Sequence, residues 1–330
     1  MRIRVAIILP LAPLIVAAAA LAAEPLPIAR RVVSLNHSLT EMLLAIGAGP
    51  ALVGVDEYSA RLQPEVRSLP VVGGLFNPSL AAVVALEPDL VVLVPGAQQR
   101  DLADWMQALE IRVLELPNIT LAQVLDSLET LGRRVGRRAE AGERVRRIRD
   151  AWRAVEREAA GRPRVRTVLV IQRDPLYVVG QGSFIDAMLH AAGGENPAAV
   201  FPEAYPRASV EWLIEAAPQV ILDATDDPED PQRHWSRWPS LPAVSSGRTV
   251  AIPPDLMLPG PYLDRSLRLL ARALHRKPAK PARSEPQASE DREDQPAKPA
   301  RSEPQASGVG RNGPAPQSSE AERTSKEPAP

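Results

Sequence analysis

The side chains best suited to chemistry fall at short polar breaks that end apolar runs. Asn36 and His37 follow RVVSL, Asp56, Glu57 and Tyr58 follow ALVGV, and Tyr177, Tyr205 and Asp255 stand at corresponding breaks in the second half. Such residues suit metal ligation, proton transfer, or polar and aromatic contact with a bound molecule. Metal capture needs several converging ligands, yet the four histidines are scattered at His37, His190, His234 and His275. Only His37 sits where a ligand could reach it, and a hydrogen bond is the simpler role for a single imidazole than an axial bond. No protein metal site and no resident cofactor are expected. The serines Ser34, Ser38 and Ser183 lack the Gly-x-Ser-x-Gly elbow of a nucleophile, and no Walker-type phosphate loop is present. Gly180-Gln181-Gly182-Ser183 could cradle an anion or simply cap a helix. An enzyme is therefore not expected. The tyrosines read differently: the 330 residues hold only five Trp, four Tyr and three Phe, so Tyr58, Tyr177 and Tyr205 at loop ends suit flat contact with a planar ligand.

The elements that must position these residues are organised around residues 137–161. There Val145, Ile148, Trp152, Val155 and Ala159 recur at three- and four-residue steps, an apolar stripe on a helix otherwise covered by Arg and Glu. The stretches on either side are alike. SLAAVVALEPDLVVLV from Ser79 aligns without a gap with SVEWLIEAAPQVILDA from Ser209, and SLTEMLLAIGAG from Ser38 matches SFIDAMLHAAGG from Ser183. Each has a serine where a helix N-terminus needs an acceptor, and Ser38 and Ser183 are followed by an acid three residues later. Strands alternating with helices predict a mainly parallel sheet in each half, with ligands meeting the loops beyond the strand C-termini. In the first half those loops also carry Leu75 and Phe76; Arg173, Phe184 and Met257 join the candidates in the second.

The expected organisation is a signal peptide over 1–22, an α/β lobe over 23–136, a backbone helix over 137–161, a second α/β lobe over 162–276 and a disordered Pro-rich tail over 277–330. Arg2 and Arg4, the apolar run and Ala20-Leu21-Ala22 suit export and cleavage. With no cysteine, neither lipid attachment nor a disulfide is open to the chain. A periplasmic monomer that touches a membrane only through a partner is expected. A net charge of −1 argues against nucleic acid. The tail repeats PAKPARSEPQAS at Pro278 and Pro296 and has too little apolar surface to order itself.

RVVSLNHSLTEMLLAIGAGPALVGVDEY, LPVVGG, GGENPA, ASVEWLIEAAPQVILD and PGPYLDRSLRLLARALH resemble the substrate-binding proteins of ABC importers that carry a helical backbone, a group that includes cobalamin, iron-siderophore and haem receptors. The likeness is greatest to the cobalamin receptors. It implies two Rossmann-like lobes joined by one rigid helix, a metal chelate held between them, and delivery to an ABC permease. Carried over by position, Tyr58, Tyr177 and Tyr205 supply cleft aromatics. Leu75 and Val94 stand where cobalamin binders have tryptophan, with Phe76 beside the first. The resemblance also implies a permease-docking glutamate in each lobe; Glu211 fills the second position and Ala81 the first. Iron-siderophore or haem capture is the nearest alternative, and an orphan binding or wall-tethered protein without a transporter is the alternative that Ala81 and the tail motivate.

Overall fold

The computed structural model describes residues 27–74, 77–96 and 100–276. The expected signal peptide and tail, and the candidates Leu75 and Phe76, lie outside the described residues. The first lobe runs β1 (Val32–Ser34), α1 (His37–Ala45), β2 (Leu52–Val55), α2 (Glu57–Leu62), α3 (Leu80–Ala85), β3 (Leu90–Leu93), α4 (Arg100–Ala108), β4 (Val113–Glu115) and α5 (Leu121–Arg134). Its strands are all parallel, in the order β2-β1-β3-β4. After the long helix α6 (Arg138–Ala159) come β5 (Val165–Gln172), β6 (Tyr177–Val178), α7 (Phe184–Ala191), β7 (Gly194–Glu195), α8 (Val210–Ala216), β8 (Val220–Asp223), α9 (Pro231–Trp235), α10 (Pro242–Ser245), β9 (Thr249–Ala251) and α11 (Leu263–His275). The second sheet has the order β6-β5-β8-β9, with β7 also paired to β5, and only β6 runs antiparallel.

Strand composition explains the layering. Successive residues of a strand face opposite sides of a sheet, so β1 and β3, buried at every position, require cover on both. Val32, Leu90 and Val92 join the core made with α1 and α5, while Val33, Val91 and Leu93 pack with Val83, Leu102 and Met106 of α3 and α4. The internal repeat survives in the caps. The hydroxyls of Ser79 and Ser209 accept the amides of Ala82 and Trp212, each at 3.2 Å. The second serine pair diverges: Ser183 caps α7, but α1 is capped by Asn36, whose side chain accepts the Ser38 amide at 3.0 Å. Asn36 leaves the strand in an extended conformation with its carboxamide already placed, so Ser38 is drawn into the first turn and buried. Over PVVGG the chain forms only bridges, from Val71 to Val55 and from Gly73 to Pro78, and Gly73 turns at φ +104°.

Helix α6 buries Ala141, Val145, Ile148, Ala151 and Val155. The apolar side is therefore shifted from the expected one: Ala151 lies at its centre and Trp152 packs half-buried at the margin. The small residues matter because α6 crosses α5 closely. At Gly132 of α5 a Cβ would collide with Ala141 and lie 2.9 Å from the Arg137 carbonyl. On the other flank Arg144 donates to the Pro261 carbonyl at 2.5 Å and pairs with Asp264 at the start of α11. The lobes also touch directly, since the Phe184 amide donates to the Ile119 carbonyl at 2.8 Å. Phe184, expected at the ligand mouth, is instead buried at this junction. One apolar cluster consequently runs without a break from α1 and α5 through α6 to α7 and α11.

Arg173 needs the same correction. Its guanidinium is buried against Asp223 at 3.0 Å, and the Trp235 indole donates to the same carboxylate at 2.7 Å, so Arg173 fastens the second lobe internally. Replacing Ile148 by Ala is expected to cost about 2–5 kcal/mol, because the side chain is fully buried in the core that both lobes share. Urea unfolding followed by circular dichroism measures this, and an unchanged midpoint would show that the α6 stripe holds nothing together.

Candidate ligand-binding cleft

Two strand ends and the helices that leave them build the first-lobe wall. β1 ends at Ser34 and β2 at Val55, and Asn36 and Asp56 cap α1 and α2 immediately beyond. A buried hydroxyl chain fixes these turns to one another. Ser59 donates to the Asp56 carboxylate, and the Thr40 hydroxyl lies 2.9 Å from that of Ser59 and 2.8 Å from that of Ser34. Buried polar groups that satisfy one another in this way hold a single geometry, since any displacement strands a donor or acceptor.

On this support stands a cavity of about 550 Å³, lined by Asn36, His37, Ser38, Asp56, Glu57, Tyr58, Arg61 and Gly74 from the first lobe and by Leu258 from the second. It lies where ligands of parallel α/β sheets bind, beyond the strand C-termini and between two lobes. A groove of about 630 Å³ between α6 and α11 is larger, but Arg162 in its wall lies three residues before the start of β5, the opposite end of the strands.

Tyr58 is 38% exposed, with the His37 ring edge-on at 5.0 Å and the Arg61 guanidinium 4.9 Å from its centroid. Burial holds the Tyr58 hydroxyl above its ordinary range, helped by Asp255, so it remains a donor at neutral pH. Burial likewise lowers the pKa of His37, outweighing the opposing fields of Asp56 and Asp255, and the ring is neutral. Among the described residues its Nδ1 is buried without a partner. An orphaned lone pair costs less than an orphaned N–H, which assigns the proton to Nε2 and makes His37 a hydrogen-bond donor. Among the described residues, no group of three or more His, Asp or Glu could hold a metal ion.

The remaining sequence candidates spread out. Asp255 is exposed on the turn Pro254–Met257 of the second lobe, and its charge is felt at His37 and Tyr58. Val94 is half-buried past the end of β3 and packs on the core; it does not border the cavity. Tyr177 lies in β6 and bridges to Arg207. Tyr205 is half-buried against the central core, and burial pushes its hydroxyl up to about 12. Neither tyrosine lines the cavity. Met257 is buried. Glu211 is exposed in the first turn of α8, where its own backbone amide and then the Ser209 hydroxyl lower its pKa; Ala81 is exposed at the matching position of α3.

Sequence reasoning missed Ser38, Arg61, Gly74 and Leu258 as lining residues. Arg61 follows Tyr58 by three residues on one helix, a spacing that could have revealed it; Leu258 carries no local signal, because only the tertiary fold brings it to the first lobe. It also missed Asn118, which is buried after β4 with neither amide atom partnered among the described residues.

Comparison with known proteins agrees with this geometry. A family model described as periplasmic binding protein matches residues 32–256. The Salmonella typhimurium vitamin B12-binding protein is 29% identical over 218 residues, covering 66% of this chain and 81% of that one. The crystal structure of the periplasmic vitamin B12 binding protein of Vibrio cholerae superposes with a TM-score of 0.66 at 25% identity, over 74% of this chain and 96% of that one. A periplasmic heme binding protein from Pseudomonas aeruginosa superposes at 0.62 with 27% identity, over 77% and 96%. With two mainly parallel sheets, a helix seated between the lobes and a cavity at their strand ends, this chain belongs to the periplasmic binding protein family, whose members bind ligands and are not enzymes.

Proposed function

We propose that this protein captures a metal chelate, cobalamin foremost, between its lobes and hands it to an ABC permease. The observation that carries the reading is the ledge formed by Tyr58, His37 and Asn36, with Leu258 facing it from the other lobe. A displayed aromatic ring suits the face of a macrocycle, a neutral His37 and the Tyr58 hydroxyl suit acceptors on its edge, and Leu258 supplies an apolar wall. The relatives named for vitamin B12 support cobalamin over other chelates. The cleft lies away from both lobes' own cores, so exchange of ligand requires no unfolding.

Haem or a ferric siderophore is the second reading, favoured by the Pseudomonas aeruginosa heme binding protein. Desalting the protein after incubation with hydroxocobalamin, haemin or a ferric siderophore separates the three. Retained corrin absorbance is expected; retention of the Soret band alone would transfer the proposal to haem, and retention of none would remove it. Tyr58→Ala is expected to weaken cobalamin binding by about 1–3 kcal/mol, as loss of an aromatic anchor does, with little change in thermal midpoint because the ring belongs to none of the core clusters. Titration calorimetry measures this, and full affinity in the variant would take Tyr58 out of the site.

Docking is the other arm of the proposal. Glu211 stands at the surface at the start of α8, available to a permease cation, while Ala81 leaves the first lobe without its counterpart. One exposed pair contributes modestly, so Glu211→Ala should lower, by about two- to fivefold, the concentration-dependent stimulation of a cognate importer's ATPase. No stimulation by wild type or variant would favour a binding protein that works without a transporter.

A further inference from the structure

The outer face of α11 carries charge that the chain does not neutralise. Arg268 and Arg272 stand one turn apart, Arg276 follows at the same spacing just past the helix, and all three are exposed. One turn before them Arg265 lies with its guanidinium 4.5 Å from the Tyr262 ring centroid. Like charges at this spacing repel along a helix, so the stripe costs α11 stability unless something outside it supplies the counter-charge. On α6 that counter-charge is local: Arg146 and Arg147 share Glu143, Arg149 pairs with Glu129 and Arg153 with Asp150, whereas among the described residues Arg268, Arg272 and Arg276 have no ion pair. Beside the stripe runs a groove of about 530 Å³ with an apolar floor, made by Val250 of the edge strand β9, Ile252, Leu256 and Leu269. The four arginines of the stripe line this groove and no acidic side chain does. Arg268 and Arg272 also form a wall of the groove between α6 and α11, where Arg162 joins them and Glu158 is the one acid. A chain with a net charge of −1 thus gathers five arginines around one helix face.

We propose that this face seats the protein on an anionic lipid surface, with headgroup phosphates on Arg268, Arg272 and Arg276 and acyl-chain carbon against the floor of the groove. A guanidinium takes two phosphate oxygens at once, and its aliphatic stem lies on apolar surface while its head stays in water. The floor decides between partners of the same charge. An acidic peptide would match the arginines but leave Val250, Leu256 and Leu269, all half-buried, without an apolar counterpart; an amphiphilic anion satisfies both. The attachment is peripheral, since no helix among the described residues is long and apolar enough to cross a membrane. This groove shares no lining residue with the cavity at Tyr58, so the proposal stands whatever the cleft binds.

Flotation of the full chain with lipid vesicles tests this. At low salt the protein is expected to rise with phosphatidylglycerol vesicles, to stay behind with phosphatidylcholine vesicles, and to be released as salt is raised. Arg268→Gln combined with Arg272→Gln should lower the partition coefficient about tenfold or more, because each basic side chain at an anionic surface contributes several-fold. Arg146→Gln combined with Arg147→Gln removes the same charge from α6 and should change it less than about twofold, since those arginines are already paired. Both double variants alter only exposed side chains and should keep the wild-type thermal midpoint. No flotation, equal flotation with phosphatidylcholine, or an equal loss in the two double variants would overturn the proposal. Retention on immobilised polyglutamate without flotation would also overturn it, assigning the stripe to an acidic protein partner.

Discussion

The structure depends on the apolar seam along α6. Ala141, Val145, Ile148, Ala151 and Val155 face α5 on one flank and α11 on the other, and the core they complete is shared by both halves of the chain. A helix fastened on two flanks by close-packed side chains cannot bend without opening cavities along its length. Gly132 and Ala141 draw α5 close, and the buried pair of Arg144 with Asp264 fastens α11. The gap between the lobes is therefore a product of packing. The long helix is a wall of a shared interior, not a free-standing rod between independent globules.

Given a fixed gap, the chemistry of its walls follows from short-range constraints. The hydroxyl chain Ser34, Thr40 and Ser59 and its terminal carboxylate Asp56 bind two strand ends to two helix starts. That anchors Asn36, His37 and Tyr58 to backbone on both sides. The electrostatics of His37 and Tyr58 share one origin: desolvation favours their neutral forms, and the charge of Asp255 reaches both from the opposite lobe. The result is a mouth in which His37 and Tyr58 are neutral while Asp56, Glu57 and Arg61 supply its charged lining.

What could be read in the sequence is what local physics decides. Strand and helix alternation, the Ser79 and Ser209 caps, and the apolar face of the long helix all follow from neighbours within a few residues. So do Asn36, His37 and Tyr58, which stand where apolar strands must end. The errors have a common cause. Phe184 and Arg173 have the residue types of a binding site and sit at strand or helix ends, but contacts with Ile119 and Asp223, far away in sequence, bury them. Ser38 lost its cap to a better-placed amide two residues earlier. Leu258 matters because of what lies across the gap, and nothing in its own segment declares it.

The central claim is that the space between Tyr58 and Leu258 receives the ligand. A crystal structure of the protein grown with hydroxocobalamin tests it most directly. Corrin density lying on the Tyr58 ring, with its edge toward His37 and Leu258 on its far side, is the predicted result. Corrin density in the groove between α6 and α11, with the interlobe gap empty, would contradict it.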